Sequence, residues 1–141
     1  MDYLLGDSQE QGHTIIKLNK VIKDIKYFLL SNYPFESGGL VDCDFNVYKY
    51  KAVNPSCHEF MPPDDFFMTL IRKPILFSFH SHLHLLTPSE EDIFFIKNFD
   101  VPIIIYSLNW DSFLSVNIKN ETSYFTWPLE KDSLSIFSSK H

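Results

Sequence analysis

From Thr14 to Ser31 the apolar residues Ile15, Ile16, Leu18, Val21, Ile22, Ile25, Phe28 and Leu29 recur at intervals of three and four, while lysines fill the opposite face. That period predicts an amphipathic helix whose basic stripe is most simply its solvated side. After Pro34 the period changes. Gly39 to Cys43 and Asn46 to Val53 are short segments rich in branched and aromatic residues, and they read as two paired strands joined through the turn-prone stretch Asp42 to Asn46. Pro62-Pro63-Asp64-Asp65, ahead of Phe66, Phe67, Leu70 and Ile71, predicts a short helix with acidic residues at its positive end. Ile75 to His80 is mostly apolar and strand-length, which predicts a strand buried on both faces. Thr87 to Asp92 leads into Ile93, Phe94, Phe95, Ile96 and Phe99 as a helix start. Val101 to Ser107 reads as a further buried strand, and Ser112 to Ile118 with Thr122 to Trp127 as a closing hairpin about Lys119-Asn120. This order predicts an α/β fold in which a mixed sheet is flanked by helices. Residues 1–129 form a single domain on this reading, and the serine-rich residues 130–141 a flexible polar tail.

Composition narrows the class. The 141 residues are 45% hydrophobic and 21% charged, the profile of one globular domain, and 16% aromatic residues can fill a core in so short a chain. Extensive disorder is excluded on that ground. Twelve basic against eighteen acidic residues give a net charge of −6, which disfavours binding to nucleic acid. The acidic start, Met1 to Asp7, lacks the positive flank of a secretory signal, and the apolar runs are far too short for a membrane span. A soluble protein that is not secreted by a signal peptide is expected. Cys43 and Cys57 are too few for a disulfide framework, so reduced thiols are the expectation.

The densest group of ligand-type residues is His80-Ser81-His82-Leu83-His84, directly after the predicted buried strand. Residues two apart on an extended chain point to one side, so His80 and His82 present two imidazoles to one point, an arrangement suited to zinc. A hydrolytic zinc site needs a third protein ligand and an open position. Asp92 is the candidate, because nine residues after His82 bring the chain to the first turn of a helix beside the strand. A base for the attacking water should then be a carboxylate that is not itself a ligand. Each part also has a plainer reading. Ser89 and Asp92 fit a capping box, and Glu36 before Ser37-Gly38-Gly39 fits a surface charge at a turn.

Taken together, Glu36, His80-x-His82 and Ser89-x-x-Asp92 resemble the metalloprotease signature of the JAB1/MPN/Mov34 family, often called JAMM. The similarity runs from the first helix to about Ser107. Glu36-Ser37-Gly38-Gly39-Leu40-Val41, Asn54 with Phe60, and Pro102 to Ile105 look most like the branch found in tail-tip assembly proteins of lambda-like bacteriophages. The resemblance implies an MPN/JAB-type mixed β-sheet flanked by helices, a cytidine-deaminase-like architecture. It also implies His80, His82 and Asp92 as ligands of Zn2+, Glu36 as the base, and Ser89 as a hydrogen-bond donor to the water or oxyanion. The implied activity is that of a zinc-dependent peptidase or isopeptidase acting on a peptide or protein substrate, with other tail-tip proteins as partners. The implied location is the virion tail tip, or the host cytoplasm during assembly. A structural tail-tip component with a vestigial or stabilising zinc site, and a bacterial deubiquitinase-like enzyme, are the alternatives.

This chain departs from the family pattern in three places. Six residues rather than seven separate His82 from Ser89, Leu83 stands where Pro is usual, and His84 lies on the predicted face of His80 and His82 as an additional candidate ligand. Rival zinc patterns fail on spacing: neither the deaminase His-x-Glu with Pro-Cys-x-x-Cys nor the helical His-Glu-x-x-His is present. Cys57-His58 has no partner spacing for a separate site, and the sequon Asn120-Glu121-Thr122 has no role without secretion.

Overall fold

Of the stripe predicted on the first helix, Leu18, Val21, Ile22, Ile25 and Leu29 are buried, Ile15 and Phe28 are partly buried, and Ile16 is exposed. Lys17, Lys20 and Lys23 lie on its exposed side. The computed structural model describes residues 8–51 and 60–137. Among these, helix α1 (Ser8–Ser31) precedes strands β1 (Gly38–Asp42) and β2 (Val47–Tyr50), helix α2 (Asp64–Arg72) and strand β3 (Ile75–His82). Helix α3 (Glu90–Phe99), strands β4 (Ile103–Ser107), β5 (Ser112–Val116) and β6 (Thr122–Phe125), and a 3-10 helix (Lys131–Phe137) complete the order. The fold is thus mixed α/β, as the periodicities predict. α1 starts earlier than Thr14 because the polar segment from Ser8 continues the helix before its apolar stripe begins.

The six strands form one mixed sheet in the order β2-β1-β3-β4-β5-β6. Only β3 and β4 pair in parallel, with α3 as the crossover between them. One face of the sheet, through Phe77, Phe79, Ile104, Tyr106 and Phe113, packs on α1. The other carries Leu40 against Phe66 and Leu70 of α2, and Ile103, Ile105 and Leu114 against Ile96 of α3. Strand β3 is central and largely buried on both faces, as its mostly apolar run predicts. His80 and His82 therefore leave the sheet on the α2/α3 side, at the carboxyl end of β3.

The β1–β2 hairpin turns where Asp42 to Asn46 predicts it. Asp42 Oδ1 accepts from the backbone N–H groups of Asp44 at 2.9 Å and Asn46 at 3.0 Å, and Oδ2 accepts from Tyr48 Oη at 2.9 Å. Two glycines at the start of β1 are required by close approach. A Cβ on Gly39 would collide with the Tyr48 carbonyl oxygen, and one on Gly38 would stand 2.6 Å from Phe79 O and 2.8 Å from His80 Cβ.

The expected flexible tail needs correction. Residues 131–137 form the 3-10 helix, and Leu134 and Phe137 are 1% and 3% exposed in the cluster centred on α1. One helix does not cover that face of the sheet, and three apolar side chains set among the serines complete it. The approach to this segment is stitched to α1: Asn19 Nδ2 donates to Leu129 O at 3.1 Å, and Asn19 Oδ1 accepts from Leu129 N–H at 2.7 Å. Residues 138–141, Asn54, Cys57 and His58 lie outside the described residues. Cys43 carries a free thiol. No helix among the described residues is long and apolar enough to cross a membrane.

Candidate metal centre

β3 ends and α3 begins around one small group of side chains. His80 and His82, two apart on β3, bring their Nε2 atoms within 3.2 Å of each other. Asp92, in the first turn of α3, places Oδ1 2.8 Å from His80 Nε2 and Oδ2 3.2 Å from His82 Nε2. In a tetrahedral site with ligands at about 2.0–2.1 Å, neighbouring donor atoms stand about 3.3–3.4 Å apart. The two imidazole nitrogens stand near that spacing, and one ligand atom from each of the three residues lies within 4.8 Å of the others. Two imidazoles and a carboxylate form a donor set for a divalent cation, compatible with zinc. Among the described residues this is the group of three with metal-ligating reach.

Asp92 is aimed by the local helix chemistry. Ser89 is the N-cap of α3; its Oγ accepts from Asp92 N–H at 3.2 Å, and Asp92 Oδ2 accepts from Ser89 N–H at 2.8 Å. The capping reading and the ligand reading of Asp92 thus coexist, since Oδ2 is tied back to the helix start and Oδ1 faces His80. Ser89 keeps its hydroxyl hydrogen without an acceptor among the described residues, available for donation.

The electrostatics of the group are those of a buried ion pair. Burial alone presses the His80 imidazole towards neutrality, but the Asp92 carboxylate beside it prevails, with a further contribution from Glu36, and holds its pKa above the ordinary value. Burial likewise acts to raise Asp92, and the His80 charge, bonds from both imidazoles and the Ser89 N–H hold it far below the usual carboxylate range. A bound cation would compete with a proton for the His80 nitrogen. The remaining nitrogen of His82, Nδ1, is buried without a partner among the described residues, as is Ser107 Oγ, whose residue pairs with His82 across β3 and β4.

Glu36 arrives from the loop between α1 and β1. Its Oε2 accepts from the Leu83 N–H at 2.9 Å and its Oε1 from the Phe60 N–H at 3.3 Å. Behind it, Ser81 N–H donates to Ser37 O at 2.9 Å, and Ser81 Oγ accepts from Ser37 N–H at 3.1 Å. Ser81 points to the opposite side of β3 from the two histidines, so one strand supplies the ligands with one face and anchors the Glu36 loop with the other. Sequence reasoning missed this clamp, and its signal, a serine between the two histidines, is too weak to single out.

Glu36, His80, His82, Ser89 and Asp92 all line one cavity of about 340 Å³. His84 does not join them. β3 ends at His82, so strand alternation no longer applies two residues later. The exposed His84 ring instead meets Asn109 Nδ2 through Nδ1 at 2.7 Å. No protein-family model matches the chain, and no curated protein matches it either.

Proposed function

We propose that the chain is a zinc-dependent peptidase or isopeptidase of the JAB1/MPN/Mov34 type, with the architecture of that family and a place among phage tail-tip proteins. The observation that carries this reading is the convergence of His80, His82 and Asp92 with a separate carboxylate, Glu36, lining the same cavity. Zinc, when bound, supplies a Lewis acid that polarises a carbonyl and makes water nucleophilic near neutral pH. His80, His82 and Asp92 would hold it. Glu36, fixed through the Leu83 N–H, takes the proton from the attacking water and passes it to the leaving amine. Ser89 donates its hydroxyl hydrogen to the oxygen on which negative charge develops, a contribution of several kcal/mol in comparable sites, about 3–4.

A Glu36→Gln variant tests the reading, because Gln keeps the shape and loses the base. Zinc stoichiometry should stay at the parent level while peptide hydrolysis falls by roughly 10²-fold or more. Parent protein that binds no zinc, or a variant that cleaves as fast as the parent, would remove the proposal.

A second reading, a tail-tip scaffold with a stabilising site, is favoured by the shortened loop of six residues between His82 and Ser89. It predicts zinc-dependent stability with no hydrolysis by the parent protein.

A further inference from the structure

The cavity that begins at the metal centre continues into a wall of phenyl rings, and these rings form a series. Phe99 contacts Phe67 with centroids 6.2 Å apart, Phe67 contacts Phe66 at 5.2 Å, and Phe66 contacts Phe60 at 6.1 Å. Phe60 in turn stacks on His80 at 6.3 Å, so the aromatic wall ends on one of the ligand rings. Phe94 also lines the cavity although it is 68% exposed, and Phe99 although it is 39% exposed. The apolar surface of these two rings is left to be covered by an occupant.

Away from the two imidazoles, the charged side chains on the cavity are carboxylates. Glu36, Glu91 and Asp92 line it, with no lysine or arginine among the lining residues. An acidic or polar side chain would lose water against the rings without finding a partner there. The volume lies at the small end of the range for ligand pockets, about 300–1,000 Å³, room for one bulky side chain rather than an extended segment.

We infer that this aromatic pocket selects the substrate, accepting the bulky apolar side chain, aromatic by preference, of the peptide residue next to the scissile amide. The inference rests on the amide-hydrolysing reading above and adds a substrate class to it. A glycine-rich or acidic sequence at that position leaves the rings uncovered and is a poor substrate.

The experiment uses the full zinc-loaded chain with two readouts. Binding of N-acetyl-phenylalaninamide and of N-acetyl-glycinamide is followed by NMR shifts of the phenylalanine ring resonances. Hydrolysis is followed on peptides that differ only in Phe, Leu, Gly or Glu beside the cleaved bond. The phenylalanine probe should bind at least tenfold tighter than the glycine probe, and kcat/KM should fall in the order Phe, Leu, Gly, Glu. Phe94→Ala, whose ring is too exposed to be needed for folding, should weaken the phenylalanine probe about fivefold while zinc content holds, and Phe94→Leu should restore most of that loss. Equal binding of the two probes, or no effect of Phe94→Ala, overturns the pocket. Selective binding with no cleavage of any peptide keeps the pocket and removes the amide-hydrolysing reading alone.

Discussion

The backbone N–H of Leu83 donates to Glu36 Oε2 at 2.9 Å, joining residues forty-seven apart in the chain. Leu83 stands where the proposed family usually has proline. A proline has no N–H to give. Here the departure supplies the bond that fixes the candidate base beside the metal centre, and it leaves all three ligands in place. Leu83→Pro should therefore leave zinc stoichiometry unchanged and lower peptide hydrolysis about tenfold. It should also cost about 1–3 kcal/mol of stability through the lost bond to a charged group. Metal analysis, a peptidase assay and chemical denaturation measure the three; a variant as active as the parent would show that the Phe60 N–H alone holds Glu36.

The ion pair at the centre sets a pH dependence for protein stripped of metal by a chelator. His80 has a raised pKa in the fold, so its contribution is complete below the ordinary histidine value, about 6.5, and is lost as pH rises through the raised value. Asp92 has a depressed pKa, so its contribution is present above about 3.9 and is lost only in strong acid. Metal-free protein should thus lose stability as the pH is raised above the ordinary histidine value, about 6.5. Zinc affinity should rise over the same range, because the proton on His80 leaves. Thermal melts with and without chelator should separate progressively with pH. A constant separation would mean that His80 carries no proton in the metal-free pair.

Gly38 and Gly39 give separable outcomes. Gly39→Ala drives a methyl group into the Tyr48 carbonyl and should destabilise the β1–β2 hairpin by about 1–3 kcal/mol. Gly38→Ala presses on His80 Cβ and Phe79 O, so its larger effect should be on metal affinity, a loss of at least tenfold. Denaturation curves and competitive zinc titration of the two variants distinguish these effects. Identical behaviour in both assays would contradict the assignment of Gly38 to the metal centre.

Phe137→Ala should cost about 3–5 kcal/mol, the usual range for removing a buried ring. Its contacts are with Phe77 and Phe125 on the α1 side of the sheet, away from the ligands. Zinc affinity measured well below the melting temperature should be unchanged.

Much of this architecture was legible in the chain because its periods are clean. The three- and four-residue spacing on α1 and the apolar runs of β3 and β4 each correspond to an element with the burial they imply. The capping box at Ser89 was visible for the same reason, since its signal is local. What escaped depends on distance or on shared surfaces. The Glu36–Leu83 bond and the Ser37–Ser81 clamp join segments more than forty residues apart, which no periodicity encodes. Phe66, Phe67, Phe94, Phe95 and Phe99 fall on two separate predicted helices, and only the meeting of those helices makes a cavity wall. His84 misled because alternation was extended past the strand end. The closing 3-10 helix was missed because its apolar residues, Leu134, Ile136 and Phe137, follow neither a strand nor a helix period.

His80, His82 and Asp92 fall within thirteen consecutive residues: a strand end, a loop and one helical turn. Closing so short a loop takes little chain entropy, whereas Glu36 reaches the same place only through the pairing of β1 with β3. Chelation is accordingly a local event and acid–base competence a global one. In folding, Asp92 can thus reach the two imidazoles before the sheet is complete, whereas Glu36 joins them only once β1 has paired with β3.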